Sequence, residues 1–125
     1  MQTRKETTEI VIHCAATKPS MDVDASVIDR WHREKGWLKI GYHYVICRDG
    51  AIEIGREENA VGAHARGYNA KSVGICLVGG LDENMKPEEN YTDEQWLMLT
   101  RLVDGLTAKY PEARVIGHND VSSKS

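Results

Sequence analysis

The run at residues 73–78, VGICLV, restricts the fold more than any other stretch of the chain. It is uncharged and apolar at odd and even positions alike. A strand of that kind cannot leave one face in water, so it is expected at the centre of a sheet with both faces covered. Gly79-Gly80 breaks the run, and Thr92 then opens the most regular helix of the chain. Thr92 and Gln95 have capping-box spacing, and Trp96, Leu99, Val103, Leu106 and Tyr110 follow at spacings of three and four. Pro111 stops the helix. The strand after it, residues 114–117, is expected to run parallel to 73–78, because a helical crossover is the connection that parallel strands use.

The rest of the chain supplies partners for that unit. Residues 9–15 (EIVIHCA) read as a short buried strand. Asp24 can cap a helix that shows Val27, Ile28 and Trp31 on one face, with Gly36 at its end. Residues 41–47 read as another strand, and Asp49-Gly50 is a hairpin signal before a return strand at 51–55. Residues 57–72 lack periodicity and form a long loop, a class that is often functional. Residues 82–90 are polar, carry Pro87 and are expected to be mobile. The expected architecture is α/β: a central mixed β-sheet flanked by helices in a single domain, preceded by a flexible polar segment at residues 1–8.

Composition removes several classes of function. At 125 residues the chain suits one domain with a real core. The formal charge of -3 and the scatter of basic residues oppose a general nucleic-acid or membrane-surface binder. No apolar run nears the roughly 20 residues needed to span a bilayer. The charged start, MQTRKETTE, lacks a signal-peptide core, so synthesis in the cytoplasm is expected. Cys14, Cys47 and Cys76 each sit in an apolar run and are expected to behave as small buried hydrophobes.

Chemistry can be placed at a few positions. His13 closes the first strand, and His118 follows Gly117 at the end of the last one. Zinc is commonly held by imidazoles, but two histidines far apart in sequence are weak evidence for it, and on their own a structural role is favoured. Tyr42 and Lys124 could stabilise a developing oxyanion beside such an ion. His43 and His64 could line the same cleft or be ordinary structural residues. Cys14 adjoins His13 on a strand and should point to the opposite face, which removes it as a ligand. No HExxH, GxGxxG or P-loop motif is present, and no histidine–acid pair accompanies Ser122 or Ser123.

The strings IVIHCAATKPS, WHREKGWLKIGYHYVICRDG, AVGAHARGYNAKSVGICLVGG and IGHNDVSSK, in this order, resemble the type-2 N-acetylmuramoyl-L-alanine amidases. Within that family they are most similar to the zinc amidase "lysozymes" of T-odd coliphages, and more distantly to the peptidoglycan recognition proteins. The resemblance runs from about Glu9 to Ser125. It implies a zinc-dependent endolysin that cuts the lactyl–L-alanine amide of peptidoglycan, with His13 and His118 as metal ligands and Tyr42 and Lys124 as the groups that assist catalysis. The family's third ligand is a cysteine eight positions after the second histidine, which corresponds to position 126. The expected domain is therefore residues 9–125, amidase-like and lacking its C-terminal end. The resemblance further implies a monomer that reaches the cell wall only after release from the host cytoplasm. Its implied partners are a muropeptide and, as in the phage enzymes, a phage RNA polymerase. A peptidoglycan-binding module without catalysis is the alternative.

Overall fold

The strands expected from the sequence join one five-stranded sheet, in a computed structural model that describes residues 2–117. In chain order the elements are β1 (Glu9–Cys14), α1 (Ala25–Glu34), β2 (Tyr44–Ile46), β3 (Ile52–Ile54), a 3-10 turn (Asn69–Lys71), β4 (Ser72–Leu77), α2 (Asp93–Lys109) and β5 (Arg114–Gly117). The sheet order is β3-β2-β4-β1-β5, with only β3 antiparallel to its neighbour. The mixed α/β sheet expected from the sequence is therefore present. β4 is buried at every residue, as its unbroken apolar run requires. β5 is parallel to β4 but pairs with β1, at the edge of the sheet.

Alternation divides β1 between two layers. Ile10 and Ile12 face the α2 side, where Ile46, Val73, Ile75 and Leu77 pack against Leu99 and Leu106. Val11 and His13 face the other way. There Val45, Cys76 and Val78 meet Ile28 of α1, and Val11 meets Ala65. Asp24 caps α1 through the Val27 amide. At α2 the capping box forms as expected, and Gln95 does more than cap. Fully buried, it donates through Nε2 to the carbonyls of Ile46 and Val78, at 3.1 and 2.8 Å. Its Oε1 accepts from the Thr92 amide at 2.9 Å and from Arg48 at 3.3 Å. One side chain thus ties the start of α2 to the ends of two strands.

Two expectations are corrected, the extent of the strand at 41–47 and the burial of the thiols, and two segments expected to be loose carry defined contacts. The segment expected to be flexible is docked from residue 2: Thr3 bridges Ala60, and the Val61 amide donates to the Gln2 carbonyl at 2.8 Å. Arg4 explains why. Its guanidinium donates to the carbonyls of Glu58 and Ala60 and to the Tyr110 hydroxyl, so a charged residue is buried with its donors used. Residues 82–90 form a turn tied by Asp82, whose carboxylate accepts from the amides of Asn84 and Lys86. The strand expected at 41–47 is regular only over Tyr44–Ile46, because Gly41 leaves the ladder to press against the Ala63 carbonyl. Of the three thiols only Cys76 is buried; Cys47 is half-buried and Cys14 is exposed.

Arg4 belongs to a polar knot centred on Glu58. The Glu58 carboxylate accepts from Tyr44 at 2.6 Å, Tyr110 at 2.7 Å and Lys109 at 2.6 Å. Burial alone would raise its pKa, but these donors outweigh it and hold the group at about 2. The unfolded value is near 4.5, so the knot's full contribution is present above that pH and is lost as pH falls toward 2. Glu58→Gln is expected to destabilise the fold by about 1–3 kcal/mol at pH 7. It should also flatten the fall in stability between pH 4.5 and 2, read from urea midpoints against pH.

Candidate active site at the ends of the parallel strands

Ligand sites in parallel α/β sheets form beyond the carboxyl ends of the strands, and the candidate residues meet at that edge. His13, the next-to-last residue of β1, is opposite Cys76 of β4 and only 4% exposed. Tyr42 stands over it from the irregular stretch before β2, with ring centroids 5.2 Å apart. Tyr42 is held in turn by His32 of α1, whose Nδ1 accepts from the Gly41 amide at 2.9 Å. The His32 ring lies between Tyr42 and Trp37, at centroid distances of 5.5 and 4.4 Å. Burial pushes the Tyr42 phenol well above its ordinary pKa, so it keeps its proton and can act as a donor. A small recess lined by Ala15, Ile28, Trp31, His32 and Lys35 opens beside its ring.

His64 approaches His13 from the long loop. Its Nδ1 is 2.8 Å from His13 Nε2, and its Nε2 is 3.1 Å from the Ser72 hydroxyl. The loop is positioned by Asn69, whose side-chain oxygen accepts from the amides of His64 and Ala65 at 2.8 and 2.9 Å. Burial, helped by the basic neighbours His13 and His43, lowers the His64 pKa to about 2. The ring lies flat against Gly74 of β4. A Cβ at that glycine would come within 2.5 Å of the imidazole, so a side chain there has no room. Gly62 is subject to the same limit from both His64 and His43.

His43 does not open onto the groove. It is 0% exposed, its Nδ1 accepts from the Gly74 amide at 2.9 Å, and its Nε2 donates to the Ala60 carbonyl at 2.7 Å. Both nitrogens hold backbone, so His43 is a strut between β4 and the loop rather than a contact for substrate. Burial lowers its pKa to about 4, which agrees with a neutral ring. Cys14 points away from His13, toward Gly80 and Tyr91, as strand alternation requires.

His118 and Lys124 lie outside the described residues. Ile116, two positions before His118, pairs with Val11 and packs on the face of β1 that also carries His13. Among the described residues no three His, Cys, Asp or Glu side chains group as a metal set, and His13 is the metal candidate that this part contributes.

The profile of the N-acetylmuramoyl-L-alanine amidase family matches residues 3–125. The chain belongs to this family. It is 48% identical to the endolysin of Escherichia phage T7 over 122 residues, which cover 98% of this chain and 81% of that relative. The amidase LysC from Clostridium intestinale URNW superposes with a TM-score of 0.79 at 34% identity, covering 93% of this chain and 73% of that one. The Drosophila peptidoglycan recognition protein PGRP-LB, as a tyrosine-to-phenylalanine mutant in complex with tracheal cytotoxin, gives 0.80 at 27% identity, covering 97% and 75%.

In this amidase the structure thus brings His13, Tyr42 and His64 together and withdraws His43. Two supporting residues escaped sequence reasoning. His32 was detectable, since it lies four positions after Ile28 on the buried face of α1. Ser72 had no signal, because a hydroxyl at a strand start is unremarkable until its partners are seen. Gly74→Ala is expected to displace the His64 ring and destabilise the amidase by about 1–3 kcal/mol, through overpacking. Urea unfolding measures the loss, and the His64 ring resonances should shift with it.

Proposed function

We propose that the chain is an endolysin that hydrolyses the lactyl–L-alanine amide of peptidoglycan with zinc as cofactor. The observation that carries this reading is the meeting of Tyr42 with His13 at the carboxyl edge of the sheet, in a chain of the amidase family. His13 suits a metal: zinc accepts imidazole nitrogen, and the ring's other nitrogen is already hydrogen-bonded to a neighbour, as around most ligating histidines. His118 is proposed as the second protein ligand. A bound zinc ion would bring the pKa of water toward ~7 and polarise the scissile carbonyl.

The chain's own groups supply the rest. Tyr42, held protonated by burial, donates to the oxyanion as the carbonyl carbon becomes tetrahedral. Lys124 is assigned the matching positive charge. His32 keeps the tyrosine ring in place by fixing the Gly41 backbone. The recess beside Tyr42 is where a stem peptide would lie, with the Lys35 ammonium available to a carboxylate. The enzyme would reach the cell wall after release from the host cytoplasm, acting as a monomer.

A second reading is binding without catalysis: a recognition protein of similar fold is solved, as a mutant, with tracheal cytotoxin bound. Incubation with murein separates the two. Hydrolysis creates new L-alanine amino termini, lost on chelation and restored by zinc, whereas a binder retains affinity and creates none. Tyr42→Phe is expected to slow this release on the order of 100-fold with affinity nearly unchanged. An unchanged rate would remove Tyr42 from the chemistry. A phage RNA polymerase is proposed as a further partner on the resemblance alone, and failure to co-purify with a cognate polymerase would remove it.

A further inference from the structure

The hydrogen bonds behind His13 have a direction. The Ser72 hydroxyl is 2.8 Å from the Tyr68 carbonyl, and that carbonyl can only accept. Two acceptors cannot rest at this distance without a proton between them, so the single hydroxyl proton of Ser72 is committed to Tyr68. The 3.1 Å contact between Ser72 Oγ and His64 Nε2 must then be donated by the imidazole. A second proton on His64 would have no acid to meet: the ring is pressed on Gly74, and its hydrogen-bond contacts among the described residues are His13 and Ser72. With Nε2 protonated, His64 Nδ1 carries a lone pair. The 2.8 Å contact from His13 Nε2 to that atom is therefore donated by His13. In a neutral His13 ring the remaining lone pair is then on Nδ1.

We propose that Ser72 and His64 are positioning residues that fix His13 in its Nε2–H tautomer and so select Nδ1 as the nitrogen offered to the metal. The proposal rests on the zinc reading only for the identity of what Nδ1 meets. Three features make the relay rigid. Ser72 is fully buried at the start of β4, His64 is pressed on Gly74, and Asn69 pins the His64 backbone. The relay contains only uncharged groups, so it sets the ring's orientation and tautomer without adding a carboxylate behind the ligand.

The test uses the full chain, 15N-labelled and metal-free, with long-range proton–nitrogen correlations of the histidine rings at pH 7. His13 is expected to show a protonated Nε2 and an unprotonated Nδ1. Added zinc is expected to shift Nδ1 and leave Nε2 protonated. In Ser72→Ala the His13 ring should become a mixture of tautomers while the backbone amide spectrum stays folded. His64→Phe should weaken zinc binding about 10- to 100-fold. A protonated Nδ1 in the metal-free parent chain overturns the proposal, as does zinc binding at Nε2 or an unaltered His13 tautomer in folded Ser72→Ala. If Ser72→Ala does not fold, the parent tautomer remains decisive. A parent chain with the expected tautomer keeps the relay in place even where zinc does not bind, because that absence reports on the zinc reading and not on the relay.

Discussion

The site depends on the bare backbone of Gly74. Its amide donates to His43 Nδ1, its carbonyl accepts from the His43 amide, and its side-chain space is taken by the His64 ring. A central strand buried on both faces ordinarily fills such a position with a branched aliphatic residue. Here the missing side chain lets two imidazoles lie against the sheet. The long loop is consequently packed onto the sheet through His64, and His43, just before β2, ties its Ala60 carbonyl to Gly74. Function has entered the hydrophobic layer at the one residue where that layer has a gap.

The second constraint is electrostatic. His13, His32, His43 and His64 are linked by ring contacts in which Tyr42 stands between His32 and His13. Burial lowers the pKa of His32, His43 and His64, each of which has a hydrogen-bond partner that suits a neutral ring. Four bases crowded together could repel one another if charged. With His32, His43 and His64 kept neutral by burial, the rings become an interlocked set of donors and acceptors, in which each ring's orientation limits the next. Catalytic groups set this way need little reorganisation when substrate arrives.

Much of this was legible in the sequence where a single period or cap governed the outcome. The VGICLV run, the Thr92–Gln95 capping box, the Asp24 cap and the Asp49-Gly50 hairpin all formed, because local propensity and burial point the same way there. The family resemblance singles out His13 as a ligand position and Tyr42 as a catalytic one, and their rings stand 5.2 Å apart. Reading failed where polar residues were buried by partners distant in sequence. Arg4 looks like part of a solvated tail until the carbonyls of Glu58 and Ala60 are seen beside it. His43 and His64 look interchangeable, yet one is locked to backbone on both nitrogens and the other faces a candidate ligand. Such distinctions rest on tertiary hydrogen bonds, which leave no periodic trace.

The docked first residues have a consequence for how the domain could be shortened. Judged by polarity, the opening of the chain is what a protein engineer would discard first. In space it is a clasp that closes over the loop leading to Gly62 and His64, and it shields carbonyl groups there from solvent. Removing it would uncover the back of the histidine cluster, so deleting these few residues would loosen the active site while every strand stayed intact.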